Sequence, residues 1–322
     1  MRIRQLMGAR PKGFAMVLTG AVCWGLSGTV AQHLFQNEGF DPGWMVTVRL
    51  ILSGSLLLTG TWLWRKDTAI RGIWRDPRDR LRLLLFALVG MLSVQYTYFA
   101  AIAAGNAATA TLLQYLGPVL ITGYWALSER RWPKAKEIVS VLLALTGTFL
   151  LVTGGRTDSL SISGAALLWG LGSAAALAFY TLYPSELLRR WGSAAVVGWG
   201  MVIGGIGLAS VHPPWPSGGV WTPINALFIL FVILFGTLLP FFLYLESLRY
   251  ILPTETGLLA SAEPLTATVA TVLWLGIPFG VPEWTGALCI IATVVLLSTG
   301  DPGKREKTKD PIAEQKKSLQ RG

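Results

Sequence analysis

An all-α polytopic membrane protein, with ten transmembrane helices in two inverted five-helix repeats, is the fold that three features of this 322-residue chain predict. The first is composition. Hydrophobic residues make up 52% of the chain and charged residues 14%, a balance expected of helices solvated by lipid and not of a soluble domain. The second is charge placement: of 27 Lys and Arg residues, all but Arg49 and Arg156 fall in the tails or in alternate connections between apolar runs. The third is an internal match between the two halves at an offset of about 145 residues.

The apolar runs lie at 13–35, 43–64, 82–102, 106–127, 136–153, 163–184, 194–211, 223–246, 255–275 and 283–299. Most reach the ~20 residues that a hydrocarbon core of ~30 Å requires. The fifth, seventh and tenth are shorter and fit if neighbours bury them or the bilayer thins. Their apolar character is continuous, whereas barrel strands would alternate, so helices are predicted.

A tail of residues 1–12, with Arg2, Arg4, Arg10 and Lys12, precedes the first run, Gly13 to Phe35. That run exceeds a signal-peptide core and lacks a small-x-small exit, so it reads as a span. The second run contains Arg49, and seven cations from Arg65 to Arg82 separate it from the third. The third carries Met91, Gln95 and Tyr98 at helical spacing, and the fourth carries Gln114 one turn before Pro118. Arg130, Arg131, Lys134 and Lys136 precede the fifth. In the second half, Trp169, Ser173, Ala176, Tyr180 and Tyr183 form a stripe on the sixth run, and Arg189 and Arg190 separate the sixth from the seventh. The eighth ends near Tyr244 and Arg249, the ninth holds Glu263 and Pro264, and a tail at 301–322 carries seven cations. By the positive-inside rule both tails are cytoplasmic.

The cations stop at the ends of apolar runs and do not interleave with aromatics, so the net charge of +10 points to an anionic inner leaflet and away from nucleic acid. Cys23 and Cys289 lie inside apolar runs, where they support neither a disulfide nor a metal site.

The repeat rests on several pairs. Trp24-Gly25-Leu26 matches Trp169-Gly170-Leu171, and L-L-Q-Y-L-G-P from Leu112 matches L-L-A-S-A-E-P from Leu258, aligning Pro118 with Pro264. The same register pairs Tyr98 with Tyr244, Glu137 with Glu283 and Gly154 with Gly300. The two units are residues 13–153 and 154–300. Each has an odd number of spans, so the second enters the membrane from the opposite side, the arrangement from which alternating-access carriers are built.

With W-G-L-S-G-T-V-A-Q in the first span, and the L-L-x-x-x-x-P turn followed by L-S-E-R-R in the fourth, residues 13–300 resemble the EamA-type drug/metabolite transporters. Within that superfamily they resemble the ten-span group that moves carboxylates, amino acids or amines. The resemblance implies a central cavity lined by the first, third, fourth, sixth, eighth and ninth spans, export from a bacterial cell across the inner membrane, and no ATP. Glu129 aligns with Leu275, so the acid many family members carry at that turn has no counterpart in the second repeat.

Within that frame the candidate substrate-binding residues are Trp24, Gln95, Tyr98, Gln114, Trp169, Tyr180 and Tyr244, on polar or aromatic faces that should turn from lipid. Glu263 is the candidate coupling or cation-binding group: a charge at mid-helix costs roughly 2.5–3.5 kcal/mol on insertion scales, so it needs a partner, water or a proton. The alternative is a neutral, hydrogen-bonded Glu that stabilises a kink. Pro118 and Pro264 are kink residues expected to free the carbonyls of Gln114 and Ala260. Arg49 is a candidate anion-binding residue; it could instead pair with Glu263 or snorkel to the interface. His33 reads as interfacial packing.

No catalytic or metal-binding residue and no cofactor is expected. The chain has two histidines, no H-E-x-x-H, no G-x-S-x-G and no G-x-x-x-x-G-K-[ST]. A secondary transporter of a small amino-acid-like or organic metabolite is the reading these features favour, with protons as a candidate coupling ion. A non-transporting sensor or assembly subunit, and an intramembrane enzyme, are the alternatives.

Overall fold

The computed structural model describes residues 2–65, 69–128, 130, 132, 134–156, 161–215, 218–247, 250–251, 256 and 259–298. Glu129, Arg249 and the tail 301–322 lie outside the described residues. Among the described residues the chain is helical, with no strand and one isolated antiparallel bridge between Phe40 and Gly218.

The first half contains α1 (Arg2–Gln36), α2 (Pro42–Arg65), α3 (Ala69–Gly72) and α4 (Pro77–Leu85), which passes through a π-helical turn at Phe86–Met91 into α5 (Leu92–Ala104). It continues with α6 (Ala107–Gln114), α7 (Gly117–Ser128) and α8 (Ala135–Thr153). The second half begins with α9 (Gly164–Leu182), α10 (Ser185–Trp191) and α11 (Ser193–Ala209). Next, α12 (Pro223–Ile233) passes through a second π-helical turn, Leu234–Leu238, into α13 (Leu239–Ser247), and α14 (Ala262–Leu275) and α15 (Val281–Ser298) follow.

Among the described residues, six stretches are long and apolar enough to cross a membrane: Pro11–Gln36, Pro42–Leu63, Pro77–Ala104, Ala135–Thr153, Gly164–Leu182 and Pro223–Tyr244. Shorter apolar helices occupy Ser193–Ala209, Ala262–Leu275 and Val281–Leu296. The first helix continues through Pro11 into the basic tail, and the predicted run at 106–127 is two helices.

Local sequence sets the helix starts. Asp76, Asn106, Ser163 and Thr222 each accept a hydrogen bond from a backbone amide in the first turn, at 2.9, 2.8, 3.1 and 3.1 Å. Pro77 and Pro223 follow their caps, where a missing N–H costs nothing. Gly154 and Gly276 close α8 and α14 in the left-handed conformation, at φ 60° and 66°.

Packing joins the halves throughout. The pairs are α2 with α11, α8 with α15, α5 with α9, and α1 with both α13 and α14. Where α8 meets α15, glycine lets the backbones touch: a Cβ on Gly286 would lie 2.7 Å from the Gly147 carbonyl oxygen, and one on Gly147 would lie 2.8 Å from that of Gly286. Gly286→Val should therefore push the two helices apart at about 1–3 kcal/mol, the usual cost of overpacking. It should also lower the melting temperature of the purified protein. An unchanged melting temperature would mean the contact is not tight.

At the end of the bundle rich in cations, polar contacts tie α4 to α10. The buried Asp79 carboxylate accepts from Arg190 Nη1 at 2.6 Å and from Trp191 Nε1 at 2.7 Å, and Arg82 pairs with Glu186 at 2.8 Å. The Arg78 amide and the Arg190 guanidinium hold the Asp76 carboxyl below the usual carboxylate range. At the opposite end Gln36 Nε2 donates to the Gly105 carbonyl at 2.6 Å, and Asn225 donates to Glu38 at 2.7 Å. There His212 lies 3.0 Å from Asp41, and Trp44 Nε1 donates to the Pro214 carbonyl at 2.8 Å.

Candidate functional site

Both broken helices, α6–α7 and the segment leading into α14, converge on one cavity. Gln114 ends α6, Tyr115 adopts φ −68° and ψ 0°, and α7 restarts at Gly117 with Pro118 in its first turn. In the matching place Ser261 adopts φ −64° and ψ −6°, and α14 restarts at Ala262 with Glu263 and Pro264 in its first turn. The sequence predicts that Pro118 and Pro264 kink their helices by freeing the carbonyls of Gln114 and Ala260. The interruptions fall at Tyr115 and Ser261, the residues that follow those two, and each proline occupies the start of a new helix, where its lack of an N–H is tolerated.

The cavity has a volume of about 280 Å³. It is lined by Trp24, Arg49, Gln95, Tyr98, Gln114, Tyr180, Tyr244 and Glu263 from the predicted set, brought in by α1, α2, α5, α6, α9, α13 and α14. Trp169 lies off the lining, edge-on to Tyr96 with ring centres 5.7 Å apart. His33 is also elsewhere, between the rings of Phe228 and Trp274 and 3.5 Å from Glu38.

Each wall is set by specific contacts. Thr111 donates to the Ala107 carbonyl at 2.7 Å, so in its 2.8 Å bond with Tyr98 the Tyr98 hydroxyl is the donor. Gln114 Nε2 donates to Ser173 Oγ at 2.7 Å. Trp24 packs against Phe241 and Tyr244, with ring centres 5.2 and 5.7 Å apart, forming an aromatic wall.

Glu263 faces this space half-buried. Tyr115 Oη donates to the Ala260 carbonyl at 2.7 Å and contacts Glu263 Oε2 at 3.1 Å. The carbonyl that Pro264 was expected to free is thus capped by a side chain from the other helix break. No cation among the described residues pairs with Glu263, and its position in the first turn of α14 suits a negative charge.

Arg49 is 4% exposed and has not snorkelled to an interface. One terminal nitrogen donates to Gln95 Oε1, and the guanidinium lies over the Phe99 ring at 4.1 Å. Its Nε has no hydrogen-bond partner, and the expected alternative pairing with Glu263 is not formed.

Tyr115, Ser27, Phe99, Phe241 and Thr181 also line the cavity and were not singled out as site residues by the sequence reading. Tyr115 follows Gln114 directly, and in a continuous helix the two side chains would diverge by a hundred degrees or so. The non-helical turn at Tyr115 lets both reach the same space, a signal carried only by the downstream Gly117-Pro118.

A model of the EamA-like transporter family matches this chain over residues 11–153 and again over 164–299. The sequence is 40% identical to an uncharacterized inner membrane transporter, YicL, of Salmonella typhimurium over 91% of this chain and 97% of that protein. It is 29% identical to the threonine/homoserine exporter RhtA of Salmonella typhimurium over 84% of this chain and 85% of the exporter. A solved crystal structure with 18% identity covers 89% of this chain and 96% of its own, with a TM-score of 0.59, which reflects a shared fold.

Proposed function

The chain belongs to the EamA-like transporter family, a multi-pass membrane transporter, and from that premise we propose that it is a secondary carrier that exports a small amino-acid-like or organic metabolite by alternating access. The observation that carries this reading is Glu263: a carboxyl group with no cationic partner among the described residues, set in a cavity at the break of one helix and touching Tyr115 at the break of another. Discontinuous helices with polar groups at their exposed ends are how carriers build solute and ion sites inside a bilayer. The 29% identity to a threonine/homoserine exporter supports the choice of solute class and of direction.

In this reading ten spans form two inverted repeats, residues 13–153 and 154–300, with both tails cytoplasmic in a bacterial inner membrane. Support comes from the charge asymmetry, from the double match to one family model, and from two pairs of irregularities in register: the turns at Tyr115 and Ser261, and the π-helical turns around Gly90 and Gly236. The cavity-lining residues Tyr180, Thr181 and Tyr244 lie near the ends of α9 and α13, at the basic end of the bundle. Polar contacts tie both ends of the bundle, Gln36 with Gly105 and Asn225 with Glu38 at one, and Asp79 with Arg190 and Trp191 at the other.

Flux of radiolabelled threonine, homoserine and a panel of other metabolites from proteoliposomes containing only this protein tests the proposal. Absence of flux for every solute would favour a sensor or assembly subunit. Topology has its own test after Cys23 and Cys289 are replaced. An impermeant maleimide should label Asn37→Cys and Val220→Cys in right-side-out vesicles and reach Arg80→Cys only after permeabilisation; the reverse pattern would overturn the orientation.

A further inference from the structure

Arg49 carries an unmet need. Its guanidinium is almost fully buried, its Nε has no partner, and among the described residues no carboxylate pairs with it. The one acceptor seen at its terminal nitrogens is the neutral amide oxygen of Gln95, and the Phe99 ring covers one face. A guanidinium withdrawn from water is best satisfied by a planar anion that takes two parallel N–H groups, and a charged acceptor makes bonds roughly twice as strong as a neutral one. Arg49 borders the cavity, and the walls beyond it are mostly apolar: Trp24, Leu177 and Phe241. Those walls suit an organic group attached to the anion and offer nothing to a hydrated inorganic ion.

We infer that Arg49 is the carboxylate-binding pole of the cavity, and that Gln95 is a surrogate acceptor which the carboxylate of a bound solute displaces. The inference deepens the carrier reading and rests on it for its purpose, but its test is binding and requires no transport. Glu263 lies elsewhere on the same lining, with no cation paired to it among the described residues, so a solute bearing both a carboxylate and an ammonium group would neutralise both poles.

The test measures binding to purified full-length protein by thermal shift and tryptophan fluorescence. The probes are the proteinogenic L-amino acids, homoserine, and C2–C6 mono- and dicarboxylates, with the methyl ester and primary amide of every binder, and with chloride and phosphate as inorganic controls. Masking the carboxylate should weaken binding at least about tenfold. Arg49→Lys, which keeps charge but loses Nε and the planar fork, should weaken it similarly. Because Arg49→Gln is at risk of misfolding, two Gln95 variants give readouts of opposite sign. Gln95→Glu supplies an internal carboxylate, so it should raise the melting temperature and abolish carboxylate binding. Gln95→Leu removes the competitor and should tighten it. If no carboxylate binds wild type, if esters and amides bind as well as the acids, or if chloride or phosphate binds as tightly, the inference is overturned. If Gln95→Glu binds carboxylates like wild type, it is overturned as well. A protein that transports amines or uncharged solutes while binding no carboxylate would keep the carrier reading and lose only this pole.

Discussion

Glu263→Gln should remove pH-gradient-driven transport down to the background of protein-free vesicles while leaving solute binding and solute–solute exchange measurable. A carboxyl group facing a largely apolar cavity, with no cation beside it among the described residues, balances its charge with a proton or with a cation brought by the solute. Glutamine keeps the shape and the ability to accept from Tyr115, whose hydroxyl stands 3.1 Å from Oε2, but cannot exchange a proton. Counterflow isolates reorientation of the loaded carrier from coupling, so the variant separates the two roles. Loss of pH-driven flux with exchange retained identifies Glu263 as the proton site. Loss of both, with binding of amines but not of N-acetylated analogues weakened, identifies it as the ammonium site. Equal pH-driven flux in wild type and variant would reduce Glu263 to a hydrogen-bonding partner beside the helix break.

What could be read from sequence and what could not follows from which interactions leave a pattern along the chain. Lipid solvation demands long apolar runs, so the helical architecture is legible from hydropathy. The half-helix breaks were legible only as prolines. Pro118 and Pro264 marked the neighbourhood, but the backbone departs from helix at Tyr115 and Ser261, because proline is welcome in a first turn and the distortion is absorbed upstream. The π-helical turns had a faint trace in Gly90 and Gly236, which occupy corresponding positions in the two halves; a side chain at Gly236 would meet Ser27 on α1. Pairings between distant helices leave no trace at all. Nothing near Arg49 names Gln95 or Phe99 as its neighbours, and nothing near Glu263 names Tyr115. Trp169 shows the limit of a helical stripe as a guide to the cavity. It shares the stripe of the sixth run with Tyr180, but only Tyr180, near the end of α9, lines the cavity, while Trp169 packs edge-on to Tyr96.

Tyr115→Phe and Pro264→Ala should both slow transport while moving stability in opposite directions. The Tyr115 hydroxyl bridges the two breaks, capping the Ala260 carbonyl at 2.7 Å and touching Glu263. Phenylalanine would leave that carbonyl, on a residue 8% exposed, without its donor, at about 1 kcal/mol given the polar groups and water within reach of the cavity. Pro264→Ala adds the amide N–H that proline lacks, and its natural acceptor four residues back is the same Ala260 carbonyl. The helix can then run through Ser261, which stabilises the segment and takes the Glu263 turn out of the cavity wall. Because both changes act on one carbonyl, their effects on stability should not add: the double variant should recover most of the loss caused by Tyr115→Phe. Transport should stay low in all three, since the cavity needs the break and not merely a satisfied carbonyl. Pro118→Ala should act likewise through Gln114. Melting temperatures and initial flux rates at equal protein levels read both quantities, and unchanged flux in Pro118→Ala and Pro264→Ala would show the two prolines to be packing residues only.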